Sequence, residues 1–229
     1  MKRHIPNLIT ELNLISGCIA VFYSFNAITT GNFALPLYFI LVAAVFDFFD
    51  GFAARLLNAR SELGKQLDSL ADLISFGFAP GMIVVAIVLR SADTVPLALA
   101  FCGFLIPAFS ALRLAKFNID DRQSSSFLGL AVPANALFFC GLAYSHSEVL
   151  SAHPYLLLAI TLFFSVLLVS EIPMFSLKFK NLKWRGNQIQ YIFIIGAIIL
   201  FVLFRFGAFS YIIAWYIIVS LFNNFTHKK

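Results

Sequence analysis

Apolar runs about as long as a bilayer crossing recur from one end of the chain to the other. A helix needs about 20 mostly apolar residues to cross the hydrocarbon layer. Only helices and closed barrels satisfy their backbone polar groups there. Eight runs approach that length: 8–28, 35–57, 67–89, 95–116, 129–146, 154–174, 189–204 and 207–222. The last two are short, and only Arg205-Phe206-Gly207 separates them, which predicts a tight helical hairpin. Hydrophobic residues make up 61% of the chain and charged ones 12%, against about 45–50% and about 25% in a soluble domain. The expected fold is therefore all-α, a polytopic integral membrane helical bundle of about eight transmembrane helices.

The basic residues fall between these runs. With eight spans, one side collects Lys2, Arg3, Arg55, Arg60, Lys65, Arg113, Lys116, Arg122, Lys178, Lys180, Lys183, Arg185, Lys228 and Lys229, and the other only Arg90 and Arg205. The positive-inside rule then puts both termini in the cytoplasm of a cell (inner) membrane protein. The net charge of +5 reads as a topology signal, not as a nucleic-acid footprint. The basic N-terminus lacks a clear small-residue cleavage site, so the first run is expected to be a retained helix. SHSEVLSAHP, 145–154, carries no Lys or Arg and is expected to be an outer loop with solvated His146 and His153. Cys18, Cys102 and Cys140 lie inside apolar runs with no CxxC spacing, which predicts packing in place of disulfides or zinc.

Against this background stands DFFDGFAARLLNARSELGKQLDSLADLISFG, 47–77, with Asp47, Asp50, Asp68 and Asp72 in two apolar segments. An aspartate at a helix centre costs about 2.5–3.5 kcal/mol on the insertion scale. Asp47 and Asp50 are three apart, and Asp68 and Asp72 four apart, so each pair shares a helix face. A short linker makes the two helices antiparallel neighbours whose acidic faces meet. Carboxylates gathered in low dielectric repel unless a cation joins them. Oxygen-only ligation suits Mg²⁺, Mn²⁺ or Ca²⁺. Gly51 leaves room beside such an ion, Ala54 keeps the next turn small, and Arg55 suits a grip on phosphate. Gly64 permits a tight turn or a close approach. Magnesium-type ions usually share ligands with substrate phosphates, so the cluster points to phosphoryl chemistry on a diphosphate. The plainer alternatives are that Asp68 caps its helix and that Asp47 pairs with Arg55.

The spacing D-x2-D-G-x2-A-R-x8-G-x3-D-x3-D, carried by Asp47, Asp50, Gly51, Ala54, Arg55, Gly64, Asp68 and Asp72, resembles the signature of the class-I CDP-alcohol phosphatidyltransferases. That resemblance implies six core helices, a two-metal site at the cytoplasmic surface and a homodimer. It implies that Asp47, Asp50, Asp68 and Asp72 bind two divalent ions, Mg²⁺ or Mn²⁺, with Ca²⁺ as a non-productive occupant. Asp72 is also the expected general base. Gly51, Ala54, Arg55, Ser61 and Gly64 become expected contacts of CDP-diacylglycerol, with Asn7, Thr10 and Asn13 from the first helix. Capping of that helix is the alternative for the last three, Asn7 above all.

The domains implied are a six-helix core at 1–174, a basic cytoplasmic loop at 175–188, an additional helix pair at 189–222 and a cytoplasmic tail at 223–229. PNLITELNLISG, DSLADLISFGFAPG, RLAKFN and SFLGLAVPANA resemble the branch of the family whose acceptor is L-serine. Ala131, where that pattern has proline, departs from it. Serine needs a cation for its carboxylate. Arg113 is the first candidate, followed by Lys116 and Asn118, with plain topology anchoring as the alternative. Arg122 and the run Lys178 to Arg185 read as lipid-facing or topology charges. Glycerol 3-phosphate, inositol phosphate or choline as acceptor stays open, and so does a cation transporter, since intramembrane acids often mark ion paths.

Overall fold

The computed structural model describes residues 4–91, 95–119, 127–177, 184 and 186–226. Lys2, Arg3, Arg122, Lys178 to Lys183, Arg185 and the final lysines, named above as topology charges, lie outside the described residues. Among the described residues the regular structure is helical, apart from one two-residue antiparallel ladder.

Helices α1 (His4–Thr30) and α2 (Ala34–Leu56) form an antiparallel pair. Next comes a span in three parts: α3 (Glu62–Asp72), a π-helical segment (Leu73–Phe78) and α4 (Ala79–Leu89). Its widened turn shows in the amide of Ala79, which donates to the carbonyl of Ile74. The cause lies in the sequence just beyond. Pro80 has no N–H to donate, and in a regular helix its ring would clash with the carbonyl four residues back. Every residue from Ala79 to Val88 is buried, so this span is the centre of the bundle. Small residues admit its neighbours. A Cβ on Gly81 would lie 2.8 Å from the carbonyl oxygen of Gly103, and one on Gly103 2.7 Å from that of Gly81. Close backbone approach of this kind is how helices associate without a hydrophobic driving force in lipid.

Gly103 belongs to a 3₁₀ segment (Leu97–Phe104) that runs into α5 (Leu105–Ile119). Strand β1 (Phe127–Leu128) precedes α6 (Val132–Ala152) and α7 (Pro154–Val169). The run expected to stay helical to 174 stops at Val169, because Pro173 cannot continue a helix and restricts the residue before it. A strap follows that contains β2 (Pro173–Met174), paired with β1 through Phe127 and Met174. Then α8 (Gln188–Phe204) and α9 (Ala208–Thr226) fold back on each other across a 3₁₀ turn at Arg205–Gly207.

Two expectations are corrected here. SHSEVLSAHP is no loop: α6 continues through it to Ala152, with a kink at His146 (φ −134°, ψ 18°). His146 Nε2 lies 3.1 Å from the Tyr211 hydroxyl of α9, so that ring is held and not free in solvent. Cys18 faces outward from α1, whereas Cys140 is buried.

Five helical runs among the described residues are long and apolar enough to cross a bilayer: His4–Thr30, Ala34–Leu56, Glu62–Leu89, Leu97–Ile119 and Gln188–Phe225. Helix α7, at 16 residues, is apolar but shorter. Exposed Phe, Leu, Ile and Val side chains cover the outside of the bundle, as a lipid-facing surface requires. One end of the bundle is clasped by Arg90. Its guanidinium meets Glu148 at 2.8 Å and lies 3.5 Å from the carbonyls of Ala27 and Ile28 at the end of α1.

Candidate active site and metal centre

The opposite end gathers the acidic residues. Asp47 and Asp50 come from the last turns of α2, and Asp68 from α3. One carboxylate oxygen of each lies within 4.8 Å of the others. The connection that brings them together is short and locally specified. Asn58 takes a left-handed conformation (φ 49°), which Asn tolerates better than most residues. Ser61 then caps α3, its hydroxyl accepting from the Gly64 amide at 3.0 Å. Asp68 is thus a residue of the helix body and not its cap. Arg55 does not reach Asp47; its Nε donates to the carbonyl of Gly51 at 2.9 Å.

Helix α1 supplies hydrogen bonds to the acids. The Thr10 hydroxyl donates to Asp50 Oδ2 at 2.6 Å, and Asn13 Nδ2 to Asp72 Oδ1 at 3.3 Å. Asp47 and Asp72 also approach within hydrogen-bonding reach of each other. The carbonyl of Asn13 accepts from Ser75 of the π segment at 3.0 Å, and Gly17 gives Ser75 the space to come this close. The widened turn is therefore fastened to α1 beside Asp72, as π segments at functional sites often are.

Among the described residues no salt bridge joins the cluster; the ion pair found is Arg90–Glu148, at the other end. Asp68 Oδ1 is buried without a hydrogen-bond partner. Three converging carboxylates, one of them with an orphaned oxygen, fit a hard divalent cation bound by oxygen.

Beside the cluster opens a cleft of about 550 Å³. Asn7, Thr10, Asp50, Gly51, Ala54, Ser61, Gly64 and Asp68 all line it. Arg60, Glu62 and Lys65 line it as well, although Arg60 and Lys65 entered the reading of the sequence only as topology charges. Two expected contacts do not. Asn13 is fully buried and turned to Asp72. Arg55 borders a smaller neighbouring recess with Asn58 and Arg60. Asn7 lies inside α1, which starts at His4, so it is no cap. Gly64 makes no turn. It sits in the first turn of α3, where a Cβ would come 3.2 Å from Asn7 Oδ1. A Cβ on Gly51 would meet nothing within 4 Å.

The three acceptor candidates separate. Arg113 of α5 is only 7% exposed, far too buried for a topology anchor. Lys116 is exposed. Asn118 turns to α3, donating to Ser69 Oγ at 2.8 Å while its carbonyl accepts from Lys65 Nζ at 2.9 Å. It therefore braces α5 against α3.

The chain belongs to the CDP-alcohol phosphatidyltransferase family, whose model matches residues 3–174. It is similar to the CDP-diacylglycerol–serine O-phosphatidyltransferase of Bacillus subtilis, 35% identical over 150 residues, covering 66% of this chain and 81% of that one. The enzyme of the same name from Helicobacter pylori is 33% identical over 184 residues, covering 78% and 74%. That of Saccharomyces cerevisiae is 37% identical over 158 residues, covering 62% and 54%.

Proposed function

We propose that the protein transfers the phosphatidyl group of CDP-diacylglycerol to the hydroxyl of L-serine, giving phosphatidylserine and CMP. The observation that carries this reading is the convergence of Asp47, Asp50 and Asp68 within 4.8 Å at a cleft that Arg60 and Lys65 also line. Acids and bases alternating around one cavity suit a diphosphate bound with divalent ions. The names of the relatives favour serine over glycerol 3-phosphate or inositol phosphate. The buried Arg113 supports the same choice, because its five donors match a carboxylate.

Asp47, Asp50 and Asp68 would hold Mg²⁺ or Mn²⁺, two ions in all, with Asp72 facing the same space. When bound, such ions neutralise the diphosphate and ease the departure of CMP. The rest falls to the chain itself. The open face of Gly51 lets the diphosphate approach the α2 backbone. Arg60 and Lys65 offset its charge from the other wall. Asp72, held by the Asn13 amide, takes the proton of the serine hydroxyl. The serine oxygen bonds to the phosphorus that carries diacylglycerol. The bond from that phosphorus to the bridging oxygen breaks, and CMP leaves with its electron pair. Such transfers depend on positioning and electrostatics.

We place the site at the cytoplasmic face of the cell membrane, with eight alternating passes. In support, Thr10, Asp50 and Asp72 share one end of the bundle, and Arg90 and Glu148 the other. The test is CMP release by purified protein from CDP-diacylglycerol with Mn²⁺ and a panel of alcohols. Release with serine that is lost in Asp72→Asn is expected. Release with a different alcohol alone would overturn the acceptor, and none with any alcohol would overturn the reaction.

A further inference from the structure

Lys65 and Ser69 stand one turn apart on α3, so they share a face of that helix. Asn118 is the next-to-last residue of α5. Together they close a ring of hydrogen bonds between the two helices. Asn118 Nδ2 donates to Ser69 Oγ at 2.8 Å, the Ser69 hydroxyl donates to the Lys65 carbonyl at 3.2 Å, and Lys65 Nζ donates to the Asn118 carbonyl at 2.9 Å. That last carbonyl lies in the final turn of α5, where C=O groups have no partner inside the helix. The negative end of the helix dipole favours an ammonium at the same place.

The ring fixes a charge that faces the cleft. Lys65 lines it together with Asp50, Gly51, Arg60 and Asp68. Among the described residues no carboxylate lies within salt-bridge distance of Lys65. An ammonium has several donors, and the Asn118 carbonyl takes one of them. A carbonyl holds the cation without neutralising it, so the other donors remain for an anion. A loose lysine would have to be ordered by the ligand itself, which weakens binding.

We propose that Asn118 and Ser69 are positioning residues for the donor substrate. They hold the Lys65 ammonium at the wall of the cleft, where its free donors meet the diphosphate. The end of α5 then serves the nucleotide side of the site, and Asn118 does not bind the carboxylate of the acceptor. The inference rests on the reading of the cleft as the diphosphate site.

The experiment measures KM for CDP-diacylglycerol and for serine, kcat, and the inhibition constant of CDP. The variants are Lys65→Met, Asn118→Ala, Ser69→Ala, Ser69→Thr and the double variant of Lys65→Met with Asn118→Ala. Asn118→Ala and Ser69→Ala should each raise the CDP-diacylglycerol KM and the CDP inhibition constant about fivefold, and Lys65→Met about tenfold. The serine KM and kcat should stay within about twofold, the mark of lost donor binding and not of a disturbed fold. Ser69→Thr keeps the hydroxyl and should recover most of the loss. In the Lys65→Met background Asn118→Ala should add nothing, since the two residues act as one unit. A serine KM that rises in place of the CDP-diacylglycerol KM, an unchanged CDP-diacylglycerol KM, an additive double variant, or an equal loss in Ser69→Thr would overturn the proposal. Wild-type CMP release and its inhibition by CDP judge the reading of the cleft separately. A wild type that CDP inhibits, beside an Asn118→Ala variant that CDP inhibits equally well, would sink this proposal alone.

Discussion

Thr10 and Asp50, forty positions apart in the chain, meet across 2.6 Å, the hydroxyl donating to Oδ2. The polar residues of α1 thus address the carboxylates first and the open cleft second. A buried acid with a fixed hydrogen bond has one oxygen oriented and the other left to bind. Replacing Thr10 with Val keeps the shape and removes the donor. CMP release and Mn²⁺ affinity are each expected to fall about 10-fold, as for other residues that orient a ligand. Thr10→Ser should recover most of the loss. Parallel activity assays and metal titrations would check both.

Asp68 and Asp72 lie one turn apart on α3 but stand differently toward the cluster. Asp68 belongs to the triad within 4.8 Å, whereas Asp72 is bonded to Asn13. Asp68→Asn should weaken Mn²⁺ binding by about 10-fold or more. Asp72→Asn should keep measurable Mn²⁺ binding and lose a factor of about 10²–10⁴ in CMP release. Calorimetric titration beside turnover separates the two. Equal loss of metal from both variants would contradict the division of roles.

Gly103 tests the packing. A Cβ there would meet the Gly81 carbonyl oxygen at 2.7 Å and Val85 Cγ2 at 2.8 Å. Gly103→Ala should therefore destabilise the protein by about 1–3 kcal/mol, the usual cost of overpacking. Thermal unfolding in detergent would show it, while turnover per folded molecule should stay unchanged because the crossing is remote from the aspartates.

Ala131 has the opposite sign. It precedes α6 with φ −67° and ψ 140°, a conformation that proline adopts without strain. Ala131→Pro should stabilise the fold by about 0.4–1 kcal/mol by narrowing the unfolded ensemble. A lowered unfolding temperature would mean that the Ala131 amide is needed as a donor.

Asp47, Asp50 and Asp68 were legible in the sequence because helical spacing puts each pair on one face, and because a short linker leaves their helices no other way to pack. The hairpin at Arg205–Gly207 was legible for a similar reason: two apolar runs with three residues between them have one economical path. The helix through SHSEVLSAHP was not. Its polar residues looked like a loop, yet Tyr211 sits 65 positions away and gives His146 a partner that no local pattern reveals. Arg60 and Lys65 were missed for a different reason. Basic residues in a linker satisfy the topology rule whether or not they also face a cleft. The π segment left only a faint trace in Pro80, since its bracing contact, Ser75 to the Asn13 carbonyl, joins residues 62 positions apart.

That widened turn divides one membrane span into two territories. Below it, α3 is partly wetted and bears the acids; above it, α4 is sealed on all sides. A uniform helix would lock the two halves in phase, so any rotation that improved packing above would swing Asp68 and Asp72 below. The widened turn changes that phase, and its bond from Ser75 to the Asn13 carbonyl ties the aim of the lower half to α1 and not only to the packing above.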